Sequence, residues 1–274
     1  MSVSNLCKVA GMSRQNYYKA RMVRQRRKVD EQLVKQLVEA ERAIQPRLGG
    51  LKLHSMLRDE LASEGVRLGR DRFFEVLRNQ ALLLEPLPKA PRTTNSAHSL
   101  PVFSNLIKDV ALTGPNQVWI SDITYIRTRE GFLYLSLITD KYSRKVVGYH
   151  LGRTLEAEDT LRALKMALAQ LPAGAKPIHH SDRGCQYCSH EYVKELQTHG
   201  LQVSMTEEDH CAENAQAERV NGILKQEYFL NYEFRSEDQA HRAVDEAVRL
   251  YNGRRPHRSL NLCTPQQIHQ QAAA

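Results

Sequence analysis

Three strand-like runs stand almost end to end between residues 117 and 151, and they restrict the possible folds more than any other feature. They fall at about 117–126, 132–139 and 145–151, and only TREG and KYSR separate them. Spacers that short join antiparallel neighbours, so the runs predict a three-stranded meander. Beyond it the pattern changes. LEAEDTLRALKMALAQL reads as an amphipathic helix and KPIHHSD as a short strand running into a loop. A helix is expected near 189–199, a strand near 201–205, and two last helices near 214–228 and 236–252. A meander followed by alternating helices and strands predicts an α/β fold, a mixed sheet covered on both faces.

Ahead of the meander the pattern is helical. LCKVAGMSRQNYYKA shows a short helix, a turn at Gly11, and Ser13 as the N-cap of a second helix, which is helix-turn-helix spacing. VDEQLVKQLVEAERAI follows, with Val29, Leu33, Leu37 and Ala40 at helical intervals. LKLHSMLRDELASEG and RDRFFEVLRNQALLL make another helix pair, turning near Gly65 and Gly69. Its second member carries Arg70, Arg72 and Arg78, which makes it a candidate for DNA contact. LLEPLPKAPRTTNSAHSLP, residues 83–101, has four prolines and a Ser/Thr/Asn cluster and reads as a linker. The expected organisation is therefore a helical, helix-turn-helix-like DNA-binding region over 1–85, a linker over 86–112 and an α/β region over 113–274.

Charge follows the same division. Residues 1–100 hold 19 Lys/Arg against 10 Asp/Glu, and residues 101–274 hold 20 against 21. A basic module joined to a near-neutral one suggests a polyanion held beside a separate function. No apolar run approaches the ~20 residues that span a bilayer, and no signal peptide is evident, so no membrane partner and a cytoplasmic location are expected. Five cysteines, at 7, 185, 188, 211 and 263, are odd in number and scattered, which fits free thiols. Cys185 and Cys188 form one CxxC. The possible partners His190, His210 and Cys211 are irregularly spaced, so zinc is not expected.

One residue does not fit the first strand. VWISDITYI, residues 118–126, is apolar on both faces, yet Asp122 lies at its centre. No slip of register rescues that carboxylate. Either the strand ends near Asp122, or a cation neutralises it. Asp182 lies just past the short strand in HHSDRGCQY, where α/β sheets build sites. Glu218 lies in ENAQAERVNGILKQEY, where Asn214, Glu218, Asn221 and Lys225 fall on one helical face beside an apolar stripe of Val220, Ile223 and Leu224. Three acids from a strand, a strand end and a helix could converge on hard divalent ions, which activate phosphodiesters for displacement.

WISDITYI, HHSDRGCQY, ENAQAERVNGILKQEY and YNGRRPHRSLNLCTP resemble the DDE transposases of bacterial insertion sequences, most closely the second-frame, OrfB-like protein of the IS-three group. That family is similar to retroviral integrases. The likeness covers about 113–272, more loosely 45–85. It implies a ribonuclease H-like integrase core, with five strands in the order 3-2-1-4-5. It also implies that Asp122, Asp182 and Glu218 are the catalytic, metal-binding triad, with two Mg²⁺ ions and Mn²⁺ as a substitute.

The implied activity is metal-dependent strand cleavage at the insertion-sequence ends, followed by strand transfer from the freed 3′-OH, with a circular intermediate that later integrates. Lys225 matches a position that contacts the DNA end. Arg254, Arg255, His257 and Arg258 of the C-terminal signature either grip phosphates or pack the last helix. His180 matches the residue before the Ser-Asp pair and is expected beside the site. Glu213 stands where relatives have Asp. The implied partners are terminal inverted repeats, target DNA, further copies of the chain in a dimer or larger assembly, and an upstream-frame OrfA-like protein. The alternative is a DNA-binding protein whose sheet domain is inert.

Overall fold

The computed structural model describes residues 2–85, 100–207 and 214–271, which divide into two compact units at Pro86/Leu87. In the first unit, helix α1 (Val3–Val9) starts at Ser2, whose hydroxyl accepts from the Asn5 amide. Gly11, at φ 62°, makes the turn, and Ser13 caps α2 by accepting from Asn16 N at 3.1 Å. The two helical runs expected after Ser13 are one continuous helix, α2 (Arg14–Ile44). The expected apolar stripe also shifts. Val29 is 65% exposed, and the buried positions are Val34, Val38 and Glu41. Helices α3 (Gly50–Ser63) and α4 (Arg70–Asn79) supply the rest of this core through Leu53, Leu57, Phe73 and Leu77. The first half of α2 contributes nothing to that core.

The second unit holds the predicted sheet. Strands β1 (Val118–Thr128), β2 (Gly131–Asp140) and β3 (Val146–Gly152) form the antiparallel meander. β4 (Ile178–Ser181) and β5 (Gln202–Met205) add in parallel on the other side of β1, giving the order β3-β2-β1-β4-β5. Between them run α5 (Ala157–Ala169), the single turn α6 (Cys185–Cys188) and α7 (His190–Thr198). Helices α8 (Ala215–Glu227), α9 (Glu237–Gly253) and α10 (Pro265–Gln271) follow. One face of the sheet packs Ile126, Leu135 and Leu137 against Val220 and Leu224 of α8 and Val244 and Val248 of α9. The other packs Trp119, Ile138 and Val147 against Ala163 and Leu164 of α5 and Tyr192 and Leu196 of α7. The sheet is thus buried on both sides, which explains why its strands are apolar throughout rather than alternating.

Part of the expected linker belongs to this unit. Residues 86–99 lie outside the described residues, but Ile107 is 5% exposed and packs with Val118, Ile120 and Ala217. The amides of Asn105 and Leu106 donate to Glu207 Oε1 and Ser204 Oγ. No helix among the described residues is long and apolar enough to cross a membrane.

Gly148 sets how closely α5 approaches β3. A Cβ at that position would collide with the Ala163 carbonyl oxygen and lie 2.9 Å from Ala167 Cβ. We therefore expect Gly148→Ala to cost about 1–3 kcal/mol by overpacking, read as a lower urea midpoint at unchanged slope.

Candidate active site

β1 does not end at Asp122; it runs on to Thr128. Its neighbour ends instead. Parallel pairing with β4 stops at Ile120–His180, so Asp122 sits just past the last paired position, on a stretch of β1 open along one edge. The residue is half-buried. Its Oδ2 accepts from Asn221 Nδ2 of α8 at 2.7 Å, and its Oδ1 accepts from Ile123 N at 2.9 Å. Asp182 follows the last residue of β4 directly, and its Oδ1 accepts from Gly184 N at 3.0 Å. A Cβ on Gly184 would sit 3.0 Å from that oxygen, so glycine leaves the carboxylate its space.

The two aspartates are close enough to oppose each other's ionisation. Burial, then the charge of Asp182, push the Asp122 carboxyl up to about 7, against the hydrogen bonds from Asn221 and Ile123; Glu218 adds a smaller push. Glu218 itself is exposed, on the first turn of α8. Among the described residues no three His, Cys, Asp or Glu side chains gather closely enough to hold a metal ion. The structure therefore brings Asp122 and Asp182 together and leaves Glu218 within electrostatic reach but outside a common cluster.

Asp140 is an instructive contrast, at the end of β2. It is fully buried, like an acid that ought to be destabilised. Burial does push its carboxyl up, but hydrogen bonds from His269, Ser143 and the Asn116 amide outweigh that, and its pKa lies below the ordinary value. Asp140 is saturated with donors and serves the turn. Asp122 has two donors, an acid beside it and, among the described residues, no ion-pair partner. A donor set made of hard carboxylate oxygens, short of compensating charge, fits a divalent cation of the Mg²⁺ type.

α8 is fixed at both ends. Asn214 Nδ2 donates to the Ser121 carbonyl, and Gln216 Nε2 donates to that of Lys141. At the far end Glu227 takes a two-pronged ion pair from Arg255, at 2.7 and 2.8 Å. Between them lies Lys225, its ammonium 3.9 Å from the centre of the Tyr125 ring. Burial lowers the Lys225 pKa, and the charge of Asp122 partly restores it. Behind β1, His179 Nε2 lies 2.7 Å from Ser121 Oγ and 2.9 Å from Tyr192 Oη, a buried link between β1, β4 and α7. Burial, then His180, hold the His179 ring neutral, its pKa down to about 3.

The integrase core domain family matches residues 113–211, and a second integrase core domain family matches residues 199–265. The 31 kDa protein of insertion element IS600 from Shigella sonnei is 37% identical over 276 residues, covering 98% of this chain and 100% of that protein. The transposase InsF of insertion sequence IS3A from Escherichia coli K12 is 36% identical over 214 residues, 77% of this chain and 74% of InsF. The chain belongs to the IS3-group transposases. Its fold is that of an integrase core. A chain of the simian T-cell lymphotropic virus intasome aligns with TM-score 0.50 at 20% identity, over 80% of this chain and 73% of that one.

Several side chains of the transposase lie elsewhere than expected. Arg255, 3% exposed, is locked on Glu227, and its Nη1 is 2.9 Å from buried His257. Of the two readings of Arg255 and His257, phosphate grip or packing, their burial and contacts favour packing: Arg255 ties the C-terminal segment to the end of α8, and His257 lies against Arg255. Arg254 and Arg258 of the same signature are exposed. On α4, Arg72 pairs with Glu31 and Glu75, both at 2.7 Å, and exposed Arg70 pairs with Asp71. His180, two residues before Asp182, is fully buried and shares a hydrogen bond with Ser204 across β4 and β5. Cys188 is buried 3.6 Å from Met205 Sδ, and burial raises its thiol to about 11, while Cys185 is exposed. His210, Cys211 and Glu213 lie outside the described residues.

Asn221 was visible in the sequence only as part of a polar stripe; its contact with Asp122 makes it a positioning residue. We expect Asn221→Ala to lower strand cleavage about 10–100-fold with the thermal midpoint little changed, and Asn221→Asp, which adds a third carboxylate, to lower it further. His179 yields a pH dependence. Its native pKa lies below its unfolded value of about 6.5, so the unfolded chain binds the proton first. The stability it supports is complete above about pH 6.5 and declines toward pH 3, by at most about 1.4 kcal/mol per pH unit. Urea titrations at pH 7.5 and 5 should show this slope, and His179→Gln should flatten it.

Proposed function

We propose that this transposase cleaves and joins DNA strands at the ends of its insertion sequence by carboxylate-held divalent-metal catalysis, with Asp122 and Asp182 as the principal ligands. Glu218 completes the set from α8. The observation that carries this reading is the pairing of two acids at the end of β4: burial first, and then the charge of Asp182, raise Asp122 to about 7, and it forms no ion pair with a described residue. Mg²⁺ bound there would neutralise the phosphodiester and lower the pKa of the attacking hydroxyl.

The chain's own residues would orient and select. Asn221 holds one Asp122 oxygen and so fixes the direction of the other. Gly184 N does the same for Asp182. Lys225, on the same helix face as Glu218 and Asn221 and next to Tyr125, would take a phosphate of the DNA end. The first step uses water and frees a 3′-OH. The second uses that hydroxyl on another phosphodiester, and neither needs a covalent link to the protein. Mn²⁺ is expected to replace Mg²⁺. Because two ends must meet, the working form is a dimer or larger, and an upstream-frame partner is compatible with this chemistry.

Asp182→Asn should lower Mg²⁺-dependent nicking of an end-bearing oligonucleotide by on the order of 10³-fold or more, with DNA binding in EDTA unchanged. Asp122→Asn should do the same and also raise the metal-free thermal midpoint, because it removes a carboxylate that burial and Asp182 disfavour. Normal nicking by Asp182→Asn would overturn the assignment.

A further inference from the structure

Helix α2 has two halves of opposite character. From Asp30 onward it carries acids and packs into the helical core. From Arg14 to Lys28 it carries Arg14, Lys19, Arg21, Arg24, Arg26, Arg27 and Lys28 and no acid. All seven cations are exposed, and residues 21–29 are exposed on every side of the helix. None of the seven forms an ion pair with a described residue; only Arg27 lies near enough to Glu75 to be felt by it. Two of the three arginines of α4 are in the reverse condition, Arg70 and Arg72 being matched by Asp71, Glu31 and Glu75, while Arg78 is exposed and, like Arg27, only near enough to Glu75 to be felt by it.

The cations are also ordered. At about 100° per residue, Arg14, Arg21, Arg24 and Lys28 fall in one row within roughly 80° of arc. Lys19 and Arg26 make a second row, roughly 120–140° around from Arg14. Between the rows runs a band of Tyr18, Met22, Gln25 and Val29, in which Tyr18, Met22 and Val29 are 45%, 71% and 65% exposed. A second copy of this helix laid on that band would set cation rows against cation rows, so self-pairing is opposed. A duplex accepts the arrangement. The major groove, about 12 Å wide, admits a helix, and the basic half of α2 is about 22 Å long. With the band toward the groove floor, the rows face phosphates on opposite walls.

We propose that residues 14–28 of α2 form a helical arm that docks in the major groove of duplex DNA through phosphates on both walls, and that α4 is not the recognition helix. The contact is mostly electrostatic, hence nearly indifferent to base sequence and steeply salt-dependent. The proposal rests on the reading of the chain as a DNA-joining enzyme, but its test does not use catalysis.

The full chain is titrated in EDTA against a fluorescent duplex of arbitrary sequence, at several salt concentrations. Replacing Arg21, Arg24 and Lys28 together by Gln, a comparable helix former, should reduce the slope of log Kd against log salt by about 2.7 and weaken binding at least about tenfold at 0.1 M salt. The Lys19→Gln, Arg26→Gln pair should reduce it by about 1.8, and Arg70→Gln with Arg72→Gln should leave it unchanged. Arg21→Lys with Arg24→Lys should keep the wild-type slope. A wild-type slope in the triple variant, a loss confined to the α4 variant, or equal loss in the Lys and Gln variants would each overturn the proposal. A chain that binds through α2 yet never nicks end DNA would overturn only the catalytic reading.

Discussion

The site depends on one unresolved electrostatic conflict: a carboxylate built into the central strand of a two-sided apolar sheet. Asp122 and Asp140 show what is at stake. Both lie near the same end of the sheet, and both lose water. Asp140 receives two bonds from Ser143, one from the Asn116 amide and support from His269, and its charge is comfortable. Asp122 receives one amide, one backbone N–H and a neighbouring acid, and its charge is costly. Proteins rarely leave a buried carboxylate short of partners where structure alone is served, and they concentrate such strain where charge is to be met by something that binds.

The fold supplies that shortage by geometry rather than by odd residues. β4 is only four residues long and stops pairing with β1 just before Asp122. The missing neighbour opens an edge, and the chain leaving β4 delivers Asp182 to the same place. α8 then crosses the sheet with its polar face toward the gap. Its anchoring at Ser121, Lys141 and Arg255 fixes Asn221 against Asp122. The C-terminal signature thus supports the site by bracing the end of α8, some way from the reacting atoms.

Much of this was legible in the sequence because it rests on periodicity and on single residues that violate it. The antiparallel meander, the cap at Ser13 and the odd position of Asp122 needed no coordinates, and the order of the five strands followed only from the family resemblance. What was not legible depended on where neighbours end. The sequence left two escapes for Asp122, a strand that ends near it or a cation that neutralises it, whereas the element that ends there is β4, a property of pairing partners that no local pattern encodes. Arg255 and His257 look like surface cations in a basic motif, and only the packing against Glu227 and Tyr251 reveals them as buried. Val29 read as core by its spacing, because spacing cannot tell that α3 and α4 reach only the second half of α2.

The charge division between the units then has a mechanical reason. Residues 101–274 are close to neutral, with 20 cations against 21 acids, and three of those acids belong to the candidate site. A near-neutral unit contributes little net long-range attraction for a polyanion, and on the reading proposed above its acids would repel phosphate until a cation neutralised them. On the same reading, affinity for DNA would come mainly from residues 1–100, with 19 cations against 10 acids. On the reading developed above, tethering a weakly attracting active site to a strongly attracting module raises its effective concentration at the strand. The acids can then be arranged for chemistry alone, since they need not also recruit the substrate they would otherwise push away.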